Sequence, residues 1–201
     1  MRALSEVSNI NLESGCRLPP VNRDELDDRG RAAYDRQLDP DRGSIDGLRG
    51  PIGIRLYSPV IAEHAQALVQ FYRTDTLLDE QTREIAIITT ARAHDSQFEW
   101  AAHAPLAAKV GVSEATIDAV RQNSPVDGLL PRDALIISIG RELFSERRLS
   151  QTLYDCAISH FGERGLVELI TLMSMYAGTA YLLAAFDMQL PQGRQPDLPE
   201  L

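Results

Sequence analysis

The sequence predicts an all-α fold built as a single helical domain, and three observations carry that prediction. No stretch alternates apolar and polar residues in the way a half-buried strand does. Helix-start signals recur along the chain at Ser58-Pro59, Asp79, Ser96 and Ser113. Between them, apolar residues fall at helical spacing, as in Ile61, Ala65, Leu68, Val69 and Tyr72.

Residues 1–22 read as an irregular arm closed by Pro19-Pro20, suited equally to lying across a neighbouring subunit or to disorder. Residues 23–38 form a polar first helix with Leu26, Ala33 and Tyr34 as a thin apolar stripe. Residues 39–57 are a long loop with four glycines and two prolines, in no phosphate-binding pattern. A loop of that length is either a lid, with Arg49, Arg55 or Tyr57 near a substrate, or a surface connector. The helix begun by Ser58-Pro59 runs to about residue 73, with His64 on its surface.

Asp79 caps a helix to about residue 93, and Ser96 starts the next, which Pro105 is expected to kink and Gly111 to end. Ser113 caps a short helix to residue 122, and residues 123–128 are a linker. Residues 132–148 form a helix with Leu135, Ile136, Ile139, Leu143 and Phe144 inward, followed by another over 150–161. His160 near that helix's C-terminus reads as structural. Residues 166–186 are the most apolar segment and approach membrane-span length, yet they contain Glu168, Thr171, Ser174 and Thr179 and lack a basic flank. A helix buried on most sides, in the core and in a subunit interface, is the expectation. The tail, residues 194–201, reads as irregular. The domain itself spans residues 23–193.

A chain of 201 residues with 44% apolar content is long enough for one globular domain with a real core. Its net charge of −9 argues against nucleic acid or an anionic membrane as partner. Cys16 and Cys156 lie far apart, in no metal-ligand spacing, and no metal is expected. The N-terminus has no apolar segment of the secretory type, which points to the cytoplasm.

The chain is organised around residues 82–108. Glu84 shares a helical face with Ile87, Ile88 and Ala91, so its carboxylate sits on a stripe that should face the core. Glu99 and His103 are four apart and share a face of the next helix. Packed as a hairpin, the two helices bring Glu84 to the Glu99/His103 pair. Each residue also has a plain structural role: Ser96 and Glu99 fit a capping box, His103 a half-buried histidine, and Glu84 an arginine partner across a helix interface. An unpaired buried Glu84 would be costly, however, and His103 is its nearest partner.

Arg83-Glu84, Glu99 and His103, followed by Pro105-Leu106-Ala107 and Gly111-Val112-Ser113, resemble the carboxymuconolactone decarboxylase family, which shares its fold with the alkylhydroperoxidase D proteins. Gly50-Pro51, Ser58-Pro59 and Ala185-Phe186-Asp187 extend the resemblance more weakly, to a long-form member. It implies a helical bundle assembled as a dimer, trimer or hexamer, with no cofactor. The peroxidase branch carries a Cys-x-x-Cys motif, and its cysteine positions are Ser96 and Glu99 here. A thiol peroxidase needs a thiolate, so that mechanism is excluded unless Cys16 or Cys156 enters the site.

The decarboxylase branch matches at Glu84, Glu99 and His103. That likeness implies His103 as proton donor or shuttle, Glu84 as its orienting partner and Glu99 as a second acid or base. Trp100 is expected as an apolar wall and Ser96, Tyr57 and Arg83 as substrate contacts, with Arg92 or a loop arginine as a further holder of a substrate carboxylate. Three functions fit these residues: a cofactor-independent lyase, isomerase or hydrolase on a small oxygenated metabolite (a lactone, enone or keto acid); a peroxidase, disfavoured without the cysteine pair; and a helical oligomer that binds a ligand without chemistry.

Overall fold

The computed structural model describes residues 9–38, 47–191 and 193–200. Among these the regular structure is helical throughout, apart from one isolated antiparallel bridge between Asn11 and Cys16. In chain order the α-helices are α1 (Asp28–Leu38), α2 (Pro51–Arg55), α3 (Pro59–Thr74), α4 (Glu80–Ala93), α5 (Gln97–Lys109), α6 (Glu114–Arg121), α7 (Pro131–Glu146) and α8 (Gln151–Ala185).

Several starts follow directly from local chemistry. Asp79 accepts a hydrogen bond from the Thr82 amide at 2.7 Å, and Ser113 one from Thr116 at 3.1 Å, each satisfying a first-turn donor that has no helical partner. Ser58 opens α3 without a side-chain cap, and Pro59 sets the first helical φ instead. Gly111 ends α5 at φ 91°, a conformation that favours glycine.

Helix α4 is the centre of the molecule, packed against α5, α6, α7 and α8. Residues 85–92 are all buried, with Ile85 and Ile88 fully enclosed. A helix buried on every side is a core helix, and each such isoleucine contributes about 1.5–3 kcal/mol by burial. Residues 166–186, expected to be buried on most sides in the core and a subunit interface, are less enclosed than α4 within the single chain. Helix α8 is long and apolar enough to cross a membrane by length and composition, but it packs one face on α4 and α7 and leaves Val167 and Tyr181 about two-thirds exposed. Apolar content is greatest in α8, while enclosure is greatest in α4, whose threonines and alanines let its neighbours close in.

Other differences have local causes. Residues 23–38 divide into a 3-10 turn, Arg23–Glu25, capped by Asn22, and α1. Residues 39–46 of the expected loop lie outside the described residues, and its second half holds α2, started by Pro51. Pro105 lies inside α5, where it deprives the Ala101 carbonyl of its helical donor, and Arg194 of the tail donates to that carbonyl at 3.4 Å. The tail is therefore docked. Gln97 accepts from the amides of Asp197 and Leu198, and Leu198 joins the main core. Helix α8 is broken at Gly162 (φ 68°, ψ 176°), which separates the two helices read from the sequence. The described part of the arm packs on its own chain, with Cys16 against Ile54 and Leu183 and the Arg17 amide donating to the Phe186 carbonyl at 2.9 Å.

Candidate active site

Glu84 lies on α4 and His103 on α5, and the hairpin brings them together. His103 Nδ1 lies 2.9 Å from Glu84 Oε2. With Glu84 as acceptor the proton sits on Nδ1, which leaves Nε2 able to take or return a proton. Tyr176 of α8 packs edge-on against the imidazole, with ring centroids 5.1 Å apart. Burial pushes the Tyr176 phenol far above its ordinary range, reinforced by the charges of Glu84 and Glu99, so it stays protonated.

His103 opens on a cavity of about 150 Å³. Helix α2 lends it Pro51, Ile52 and Arg55, α3 lends Val69 and Arg73, α5 lends Phe98, Glu99 and His103, and α8 lends Met175, Tyr176 and Thr179. Glu84 is not part of the lining; it stands behind His103 and holds it. Arg55 is anchored by a 2.6 Å bond from Nη2 to Thr179 Oγ1, and Thr179 Oγ1 in turn donates to the Met175 carbonyl at 2.8 Å. Among the described residues Arg55 forms no ion pair.

Glu99 is 3% exposed, and neither carboxyl oxygen has a hydrogen-bond partner among the described residues. Burial pushes its pKa up to about 8; the nearby Ser96 hydroxyl, outside hydrogen-bond geometry, and the Arg55 charge offset only part of this. At neutral pH it is a carboxylic acid with a proton to give. Glu168 shows the contrast. It too is buried, though less deeply than Glu99, and Thr76, Leu77 and Arg164 all donate to it at 2.6–2.7 Å. Burial alone would raise its pKa, and these donors hold it below the ordinary value. Glu168 joins helices; Glu99 has no structural bond to make.

The capping-box alternative for Glu99 is not formed, because the Ser96 amide donates to the Ala91 carbonyl at 2.8 Å and its side chain caps nothing. The four expected substrate contacts do not line this cavity. Trp100 is 1% exposed and points to the tail, its Nε1 donating to Asp197 at 2.9 Å with the Arg121 guanidinium 5.6 Å over the ring. Being adjacent to Glu99, it occupies another face of α5. Arg83 is engaged by the Leu78 carbonyl and Glu80, and Tyr57 donates to the Pro19 carbonyl. Ser96 sits at the N-cap of α5, behind Glu99. Of the three loop residues named from the sequence, Arg55 reaches the cavity; Arg92 does not. Tyr176 escaped sequence reading altogether, although a tyrosine amid the apolar residues of α8 marks a hydroxyl that must be accommodated. Among the described residues no three His, Cys, Asp or Glu side chains converge as metal ligands would.

Residues 60–134 match the family model of the carboxymuconolactone decarboxylase family. The segment runs from α3 into α7 and supplies Glu84, Glu99 and His103, whereas Arg55, Tyr176 and Thr179 reach the cavity from outside it. Among solved structures, the chain is similar to the debrominase Bmp8, determined as a cysteine-to-alanine variant in complex with 2,3,4-tribromopyrrole. The TM-score is 0.66 at 14% identity, over 86% of this chain and 90% of that one. At that identity the likeness establishes the fold, the all-α alkylhydroperoxidase D-like bundle. No curated protein matches the chain by sequence.

Proposed function

We propose that the chain is a cofactor-independent enzyme of the lyase or decarboxylase type, acting on a small oxygenated metabolite that carries a carboxylate. The supporting observation is the convergence of three unlike groups on one small cavity: a histidine held by a carboxylate behind it, a buried protonated carboxyl with no structural bond, and an arginine without a carboxylate partner among the described residues.

For a γ-carboxylated unsaturated lactone, Arg55 would orient the substrate carboxylate while the apolar walls strip water from it. Loss of CO2 leaves its bonding electron pair on the ring as a dienolate delocalised into the ring carbonyl. Glu99 and the Tyr176 hydroxyl supply donors for the developing oxyanion. His103, held by Glu84 and protonated at Nε2 from solvent before the reaction, delivers that proton to carbon and is reloaded from solvent. Keto acids and enones meet the same requirements. Peroxidase chemistry is disfavoured, because Cys16 is buried against Ile54 and Leu183, Cys156 is exposed on α8, and neither lines the cavity.

A screen of carboxylated lactones, enones and β-keto acids, followed by ultraviolet absorbance and CO2 release, tests the proposal. A parallel assay supplies peroxide and a dithiol. Turnover of a carboxylated lactone or keto acid is expected, with no peroxide consumption. Saturable binding without turnover would instead identify a non-catalytic ligand-binding bundle.

A further inference from the structure

Apart from His94 Nε2, the buried side-chain atoms that lack a hydrogen-bond partner among the described residues fall in two places. One is Glu99. The other is a neighbouring pair on α4, Thr89 Oγ1 with Arg92 Nε and Nη2. Both of these residues line a second cavity of about 340 Å³, together with Val120, Asn123, Arg141 and Phe144. It shares no lining residue with the His103 cavity.

The charged side chains that line this cavity are both cationic, and one of them is paired with Asp95. Its charged lining residues are Arg92 and Arg141. Arg92 is 3% exposed, and its Nη1 alone is engaged, by Asp95 at 2.8 Å. The edge formed by Nε and Nη2 is buried and has no hydrogen-bond partner among the described residues. That is the edge with which Arg23 grips Asp35 elsewhere in this chain, through Nε at 2.7 Å and Nη2 at 2.6 Å. It presents two parallel donors spaced for the two oxygens of one anionic group. Arg141 is fixed by bonds from Nη1 to the Ser124 carbonyl and from Nη2 to the Ala119 carbonyl, which hold its charge in place without neutralising it. Asp95 compensates Arg92 through Nη1, so Arg141 is the lining cation without a carboxylate partner among the described residues. Leaving these donors unmade costs stability that a bound acceptor would return.

We propose that this cavity is an oxyanion-binding site, separate from the catalytic one, which takes a small molecule bearing a phosphate or carboxylate group. The Nε/Nη2 edge of Arg92 forms the fork, Thr89 Oγ1 donates a third bond, and Arg141 supplies the second charge.

Isothermal titration with inorganic phosphate, and separately with malonate, at ionic strength balanced by chloride, tests the site in the full chain. Wild type is expected to bind at least one of the two saturably, one per chain, and the tighter of them names the anionic group. Arg92→Lys keeps the charge but loses the fork, and weakens binding at least about tenfold. Thr89→Val keeps the shape, removes the hydroxyl and weakens it several-fold, which carries the test if the buried Arg92 position does not tolerate lysine. Absence of saturable binding of both anions by wild type overturns the proposal, as do variants that bind as tightly as wild type.

Discussion

His103 Nδ1 lies 2.9 Å from Glu84 Oε2, across the interface of two helices and nineteen residues apart in the chain. Both side chains are mostly enclosed, at 13% and 15% exposure. The pair fixes the imidazole's tautomer and ring orientation toward the cavity, as a carboxylate behind a histidine does in many enzymes.

If His103 moves the proton, His103→Ala lowers turnover about 10²- to 10⁴-fold. Glu84→Gln, which removes the charge but keeps the shape, lowers it about 10- to 100-fold. Circular dichroism of both variants should match wild type. Normally folded variants that retain full rates would remove the pair from the mechanism.

Glu99 should govern the alkaline side. Its proton is held up to about pH 8, so turnover that needs the acid form declines as pH rises through that value. Stability follows the same group. Between the ordinary value of 4.5 and about 8 the folded chain keeps a proton that the unfolded chain has released. Stability from this group therefore falls with rising pH, by about 1.4 kcal/mol per pH unit. Glu99→Gln should flatten that slope in denaturant titrations run across the window; an unchanged slope would show that Glu99 is ionised at neutrality.

Glu168 predicts the opposite behaviour. Removing it by Glu168→Ala strands the donors on Thr76, Leu77 and Arg164 and costs roughly 1–3 kcal/mol, measured by denaturant unfolding, while Glu168→Gln costs less. Its folded pKa lies below the ordinary 4.5, so its contribution is present above that value and is lost as pH falls through the folded pKa. Turnover at neutral pH should be unchanged in Glu168→Gln.

Self-association through α8 is our proposal for its outward stripe, Val167, Thr171, Ser174, Gly178 and Tyr181, spaced alternately four and three residues apart. A side chain at Gly178 meets nothing within 4 Å in the single chain. Gly178→Glu should therefore leave folding intact and reduce the mass seen by light scattering. A wild-type monomer at micromolar concentration would contradict the proposal.

Much of the helical layout was legible because its signals are local. Asp79 and Ser113 cap the helices they were expected to cap, Gly111 ends α5, and the break between the two C-terminal helices falls at Gly162. Spacing of four put Glu99 and His103 on one face of α5, and both line the cavity. Substrate contacts fared differently. Trp100 was drawn in by adjacency to Glu99, but consecutive residues on a helix point about 100° apart, so it turned to the tail. Tyr57 and Arg83 were engaged by backbone carbonyls, partners that leave no trace in side-chain patterning.

The sequence by itself determined the helical class, most of the helix boundaries and the pairing potential of Glu84 with the Glu99/His103 face, because capping, periodicity and charge burial act over a few residues. Tertiary structure alone decided which arginine faces the cavity, that Tyr176 stands against His103, that α4 rather than α8 is the enclosed helix, and that Glu99 lacks the donors Glu168 enjoys. Those outcomes depend on which surfaces meet across the bundle, and a buried carboxyl takes its proton affinity from the neighbours it ends up with.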